Sequence, residues 1–213
     1  MRVRVKLCGV TNLDDALMAS EAGVDALGFI FAASPRRISP EAARRIIRAL
    51  PPFVKTTGVF VDEAVDEVER IMRLCGLDMV QLHGDEPPDL CGRLMPHSLK
   101  AFQVQGRASL GPLERYRGRV RGVVLDAWSA GHRGGIGRPF DWRVLQGVSL
   151  PGPLILAGGL GPENVRDAVL AVRPYGIDIN SGVESQPGRK DPARLAAVMR
   201  AIAALPPTDG EMA

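Results

Sequence analysis

The run Val120-Arg121-Gly122-Val123-Val124-Leu125-Asp126 decides the fold. Apart from Arg121 and Gly122 it is apolar up to its last residue. Strict alternation would mark a strand with one wet face, whereas a continuous run marks a parallel strand covered by helices on its outer side. Seven further apolar or β-branched runs accompany it, at residues 3–8, 26–31, 57–61, 79–83, 99–104, 154–157 and 176–180. They recur about every 25 residues, the length of one strand–loop–helix unit.

Helix punctuation lies between these runs. Thr11 or Asn12 can cap a helix over Leu13–Glu21, and Gly23 stops it. Ser39-Pro40-Glu41 opens a helix over 42–50 that Pro51-Pro52 ends. Gly161-Pro162-Glu163 opens one over 164–172, and Asp191-Pro192 opens one over 193–205. Helices four to six are less clear, since Gly92 and Gly111 interrupt two of them. Eight βα units in 213 residues predict an α/β fold, a single-domain (β/α)8 TIM barrel with parallel strands. The alternative is a doubly wound open sheet, which usually needs only five or six strands. No linker divides the chain, so residues 1–205 are read as the barrel and the polar stretch 206–213 as a frayed tail.

Composition narrows the function. At 46% hydrophobic and 24% charged the chain reads as an ordinary globule rather than a disordered one. Lys plus Arg number 27 against 24 Asp plus Glu, and this net charge of +3 is too small to predict a nucleic-acid partner. No apolar run reaches the roughly 20 residues of a membrane span, and no secretory signal is visible, so no membrane partner and a cytoplasmic location are expected. The odd cysteines, Cys8, Cys75 and Cys91, lack metal-ligand spacing and the three histidines are scattered, so neither a disulfide framework nor a metal site is expected. Oligomeric state is left at monomer or homodimer.

In a parallel barrel, chemistry gathers where each strand ends and its following loop begins. Those positions hold Cys8, Gln81, His83, Asp126, Asp178, Asn180 and Ser181. Period two puts Lys6 with Cys8, Gln81 with His83, and Asp178 with Asn180 on shared faces. Gly158-Gly159 after strand seven and Ser181-Gly182 after strand eight occupy the loops that usually cradle a phosphate in this fold. The same glycines also serve plain tight turns. Cys8 reads equally as a small buried hydrophobe, and His83 as a structural hydrogen bonder. Asp126 ends a buried strand and must be paired or functional. Arg36, in the loop after strand two, is either a cation for an anionic ligand or a solvated surface residue. Lys6 and Asp178 read as a buried ion pair or as catalytic groups. The loop 131–137 reads as a mobile lid or a linker.

An ordered set of motifs then resembles the phosphoribosylanthranilate isomerase family. It comprises Lys6-Leu7-Cys8-Gly9-Val10-Thr11, Gly28-Phe29-Ile30-Phe31 with Ser34-Pro35-Arg36, and Gly58-Val59-Phe60-Val61. Val80-Gln81-Leu82-His83-Gly84, Leu125-Asp126, Gly134-Gly135-x-Gly137 and Phe140-Asp141-Trp142 follow. Leu156-Ala157-Gly158-Gly159-Leu160, Asp178-x-Asn180-Ser181-Gly182-Val183-Glu184 and Pro187-Gly188-x-Lys190-Asp191 complete it. Two departures are Asp62, where Asn is expected, and Asn180, where Ser is commoner.

The resemblance implies an Amadori rearrangement of a phosphoribosylated aminobenzoate, an aldose-to-ketose isomerisation in tryptophan biosynthesis. It implies Asp126 as general acid and Cys8 as general base, with Lys6 favouring the thiolate. Gly158, Gly159, Ser181 and Gly182 would hold the phosphate, Arg36 the carboxylate, and Gln81, His83 and Asp178 would contact substrate. No cofactor is implied, because the reaction is an internal proton shuffle. The other readings are a histidine-pathway isomerase, which would use paired carboxylates, an indole-glycerol-phosphate synthase, and a phosphosugar-binding module without chemistry.

Overall fold

The computed structural model describes residues 2–127 and 141–206. Eight strands run β1 Arg4–Leu7, β2 Ala26–Ile30, β3 Lys55–Phe60, β4 Met79–Leu82, β5 Ser98–Val104, β6 Gly122–Ala127, β7 Leu154–Leu156 and β8 Gly176–Ile179. Each pairs in parallel with the next, and β8 returns to β1, so the sheet closes on itself. All eight apolar runs of the sequence are strands, with ends shifted by one or two residues. The open-sheet alternative is excluded by the β8–β1 pairing.

Side chains alternate between two environments along these strands. Leu7, Leu27, Phe29, Phe60, Leu82, Leu125, Leu156 and Ile177 face outward and pack under the helices in the main core. A second, smaller cluster of Leu99, Ala101, Val124 and Ala157 fills the interior, with Met79 and Ile155 against it. The interior is therefore packed at one level, and the polar residues of the same inward rows lie at another.

The helices follow their punctuation where it is strong. α1 (Leu13–Glu21) is capped by Asn12, whose side chain accepts from Asp15 N, and α2 (Pro40–Arg48) by Ser39 with Pro40 in its first turn. α3 (Val65–Cys75) ends on Gly76 in the left-handed region, and a short α4 (Pro88–Arg93) follows β4. After β5, and among the described residues after β6, the chain forms 3-10 helices, Arg107–Tyr116 and Trp142–Leu145. Gly111-Pro112 lies inside the first of these, and a proline there has no N–H to continue an α-helical ladder. α5 (Val165–Val172) and α6 (Pro192–Ala203) complete the ring, α6 under an Asp191 cap. A two-stranded hairpin, β9 Glu184–Gln186 and β10 Arg189–Lys190, interrupts the path from β8 to α6. The loop 131–137 and tail residues 207–213 lie outside the described residues, while Pro206 is exposed.

Candidate active site

A cavity of about 680 Å³ opens at the carboxyl ends of the strands. Cys8, Arg36, Gln81, His83, Asp126, Gly158, Gly159, Asp178, Ser181 and Gly182 all line it, so every site residue expected from the sequence meets in one place. Strand register explains the convergence. Lys6 is opposite Asp178 across β1 and β8, while Cys8, His83 and Asn180 each follow within a residue of a strand end.

Asp178, which lines the cavity, belongs to a cluster of buried ionisable groups. Nζ of Lys6 lies 2.6 Å from Oδ2 of Asp178, with both side chains buried. Burial pulls the Lys6 ammonium down, but Asp178 and then Cys8 outweigh it, so the lysine is held charged. Burial pushes the Asp178 carboxyl up against the pull of Lys6, and nearby Asp126 adds to the rise. Among the described residues Oδ1 of Asp178 has no hydrogen-bond partner, and neither has Oε1 of Gln81, so two buried acceptors belong to residues that line the cavity. Such acceptors are costly unless a ligand hydroxyl or water supplies a donor.

Cys8 sits beside this pair and is 6% exposed. A Cβ on Gly28 would lie 2.8 Å from its sulfur and 3.2 Å from Cε of Lys6, so the neighbouring strand has no side chain where thiol and lysine stem must fit. Burial pushes the Cys8 thiol up; Lys6 and Lys190 oppose this and Asp178 reinforces it. The expectation that Lys6 favours the thiolate has the right sign for Lys6 alone. Burial is the larger effect, and the net shift is upward.

Asp126 is within β6 and 6% exposed. Oδ2 lies 3.4 Å from Nε2 of His83, whose other nitrogen is 3.1 Å from the Gln81 amide. Nδ1 thus pairs with the Gln81 amide, while Nε2, on the Asp126 side of the ring, has no hydrogen-bond partner among the described residues. The loop carrying His83 is fixed from beneath by Glu86, which accepts from Gly84 N at 2.9 Å and from Asp62 N at 2.9 Å. Lys100 pairs with Glu86 at 3.2 Å and also donates to the Gly84 carbonyl. This second buried ion pair was not foreseen, because both residues read as ordinary surface charges.

The opposite wall is backbone. Gly158 and Gly159 have φ of 90° and 66°. A Cβ on Gly158 would run into Ala127, and one on Gly182 into the Leu160 carbonyl, so the two loops pack at backbone distance. Asn164 ties the first loop down: its Oδ1 accepts from Gly161 N at 3.0 Å and its Nδ2 donates to Gly159 O at 2.8 Å. Sequence reading assigned Asn164 only to a helix start. Arg36 lines the cavity but is not a free cation, since its guanidinium lies on Glu184 with Nη2 2.6 Å from Oε2. Burial opposes Arg36 and Lys190 at Glu184, and the two cations prevail, holding its carboxyl below the usual range. Among the described residues no group of three His, Cys, Asp or Glu side chains is gathered as metal ligands, and no helix is long and apolar enough to cross a membrane.

A closed parallel barrel with a thiol, a carboxylate and a two-loop backbone cradle around one cavity belongs among the (β/α)8 barrels that bind anionic small molecules at their strand ends. More narrowly, residues 5–201 match the model of the N-(5'-phosphoribosyl)anthranilate (PRA) isomerase family, and the chain belongs to that family. The N-(5'-phosphoribosyl)anthranilate isomerase of Moorella thermoacetica is 52% identical over 94% of this chain and 89% of its own. The phosphoribosyl anthranilate isomerase of Thermotoga maritima superposes with a TM-score of 0.89 at 41% identity, covering 95% of this chain and all of that one. A phosphoribosyl anthranilate isomerase in complex with reduced 1-(o-carboxyphenylamino)-1-deoxyribulose 5-phosphate gives 0.85 at 40% identity, covering 95% and 100%.

Proposed function

We propose that this chain isomerises N-(5′-phosphoribosyl)anthranilate to 1-(o-carboxyphenylamino)-1-deoxyribulose 5-phosphate, with Asp126 as general acid and Cys8 as general base. The observation that carries this reading is the placement of the two groups on β6 and at the end of β1, lining one cavity. Asp126 gives a proton to the ring oxygen as the O4′–C1′ bond breaks, leaving an iminium between C1′ and the aryl nitrogen. The Cys8 thiolate then removes the C2′ proton, and the electron pair moves to form the enolamine. Protonation at C1′ and loss of the hydroxyl proton give the ketone, so protons balance and nothing is oxidised from outside.

The remaining residues divide the substrate between them. Backbone N–H groups around Gly158, Gly159, Ser181 and Gly182 suit the phosphate. Arg36 suits the carboxylate, because a guanidinium fork matches it. The unpartnered oxygens of Asp178 and Gln81 suit sugar hydroxyls, and the His83 ring supports Asp126. The upward shift of Cys8 also fits an order of events: the iminium formed by ring opening adds positive charge to that of Lys6 and Lys190, which burial outweighs in the free protein.

The test is turnover of freshly generated phosphoribosylanthranilate, followed by loss of its fluorescence and identification of the ketose product. Consumption to the carboxyphenylamino ketose supports the proposal. Binding without consumption would instead point to a phosphosugar-binding module.

A further inference from the structure

Two cations share one carboxylate behind the cavity-lining Arg36, and the reaction as written uses only one of them. Glu184 begins β9 with its side chain 4% exposed. Nε of Arg36 donates to its two oxygens at 2.9 and 3.0 Å, and Nη2 donates to Oε2 at 2.6 Å. Lys190, on the returning strand of the hairpin, donates to Oε1 of Glu184 at 2.8 Å and to Oδ1 of Asn180 at 2.9 Å, and its side chain is fully buried. Three charges out of water are costly, and apolar residues would hold the hairpin more simply.

The hairpin is anchored independently of the cavity. Thr11 Oγ1 donates to the Gly188 carbonyl at 2.6 Å, and Lys190 N donates to Oδ2 of Asp15 at 2.9 Å. Glu184 is thereby fixed from outside the barrel. Among the described residues the guanidinium bonds to Glu184 through Nε and Nη2 and no hydrogen bond involves Nη1, while Arg36 itself lines the cavity. Glu184 is thus shared by two cations, Arg36 and Lys190.

We propose that Glu184 is the positioning residue for Arg36: backed by Lys190, it fixes the guanidinium so that its Nη1 edge receives the carboxylate of the aminobenzoate half of the substrate. The inference rests on the reading of Arg36 given above. An unheld arginine would lose rotamer freedom on binding, whereas a clamped one has already lost it. Selectivity for an anionic aryl group thus resides partly in a hairpin that is not one of the eight barrel strands.

The test compares N-(5′-phosphoribosyl)anthranilate with N-(5′-phosphoribosyl)aniline, which lacks only the carboxylate. Steady-state kinetics are measured for wild type, Arg36→Met, Glu184→Gln and the double variant. Glu184→Gln should raise KM for the carboxylated substrate about 10- to 100-fold, with kcat within about twofold and the aniline compound unaffected. The double variant should be no worse than Arg36→Met. If Arg36→Met itself leaves the preference for the carboxylated substrate intact, the reading of Arg36 fails. If Arg36→Met erases that preference while Glu184→Gln keeps it, or if Glu184→Gln weakens both substrates equally, the positioning role is overturned. Should Glu184→Gln not fold, Glu184→Asp retains the charge one methylene further back. A selective rise in KM there supports the proposal, and an equal rise for both substrates overturns it.

Discussion

Lys6→Met removes the positive half of the buried Lys6–Asp178 pair while keeping most of the side chain's length. Nζ of Lys6 lies 2.6 Å from Asp178 Oδ2, and the two side chains are 5% and 7% exposed. Its loss leaves Asp178 buried with neither oxygen partnered among the described residues, because Oδ1 already lacks a donor there. Breaking one side of a buried pair costs about 3–5 kcal/mol, which for a chain of this size is a fall of about 6–20 °C in Tm. The pH dependence has a definite sign. Burial already raises the Asp178 carboxyl, and without Lys6 it rises further, so protonation relieves the variant as pH falls. The gap to wild type should narrow between pH 8 and pH 5. In the wild type the raised Lys6 pKa keeps its contribution complete below the unfolded value of about 10.4, with loss only as pH rises through the folded value. Thermal melts by circular dichroism at both pH values are the assay, with Lys6→Met/Asp178→Asn expected to recover most of the loss. A Lys6→Met melt within about 2 °C of wild type, where at least 6 °C is expected, would refute the reasoning. So would a double variant less stable than the single one.

Three further outcomes follow from the same structure. Alkylation of Cys8 in the free protein should rise only above the ordinary thiol range near pH 8.5, because burial outweighs Lys6 and Lys190; mass-spectrometric mapping that found a midpoint below it would contradict the burial argument. Gly158→Ala should cost about 1–3 kcal/mol through left-handed strain and weaken competitive inhibition by inorganic phosphate, since its methyl meets Ala127; unchanged inhibition would place the phosphate elsewhere. Glu184 has a lowered pKa, so its contribution to stability is present above the unfolded carboxylate value near 4.3 and lost as pH falls through the lower folded one. Glu184→Gln should therefore flatten the acid limb of the stability curve, and an unchanged limb would assign that lability to other carboxylates.

The strands were legible because parallel strands announce themselves: runs such as 120–126 have no polar face to disguise them. Strand count and loop position together put Cys8, His83, Asp126 and Asp178 at one end of the strands, where they line one cavity. Arg36 illustrates the limit of such reading. Its place in loop two was visible, but its partner lies 148 residues away, and no local pattern links the two. Glu184 and Lys190 had a usable signal in Pro187-Gly188, a turn dipeptide that sets the flanking residues opposite each other as a hairpin. Lys100 and Glu86 had none, because a charge that pairs inside a core looks the same in sequence as one that faces water. The segment after β5 was unclear because the chain there makes a 3-10 helix around Gly111-Pro112 instead of a full α-helix, and the described residues after β6 make another at Trp142–Leu145.

The central claim is that Asp126 and Cys8 are the acid and base of one rearrangement. Its most direct test is kcat for Cys8→Ala and Asp126→Asn on phosphoribosylanthranilate, measured beside the affinity of each variant for the reduced ketose product. Both variants should lose about 10²–10⁴ in kcat while binding the reduced product within a few fold of wild type. Wild-type kcat in either variant would contradict the assignment of that residue.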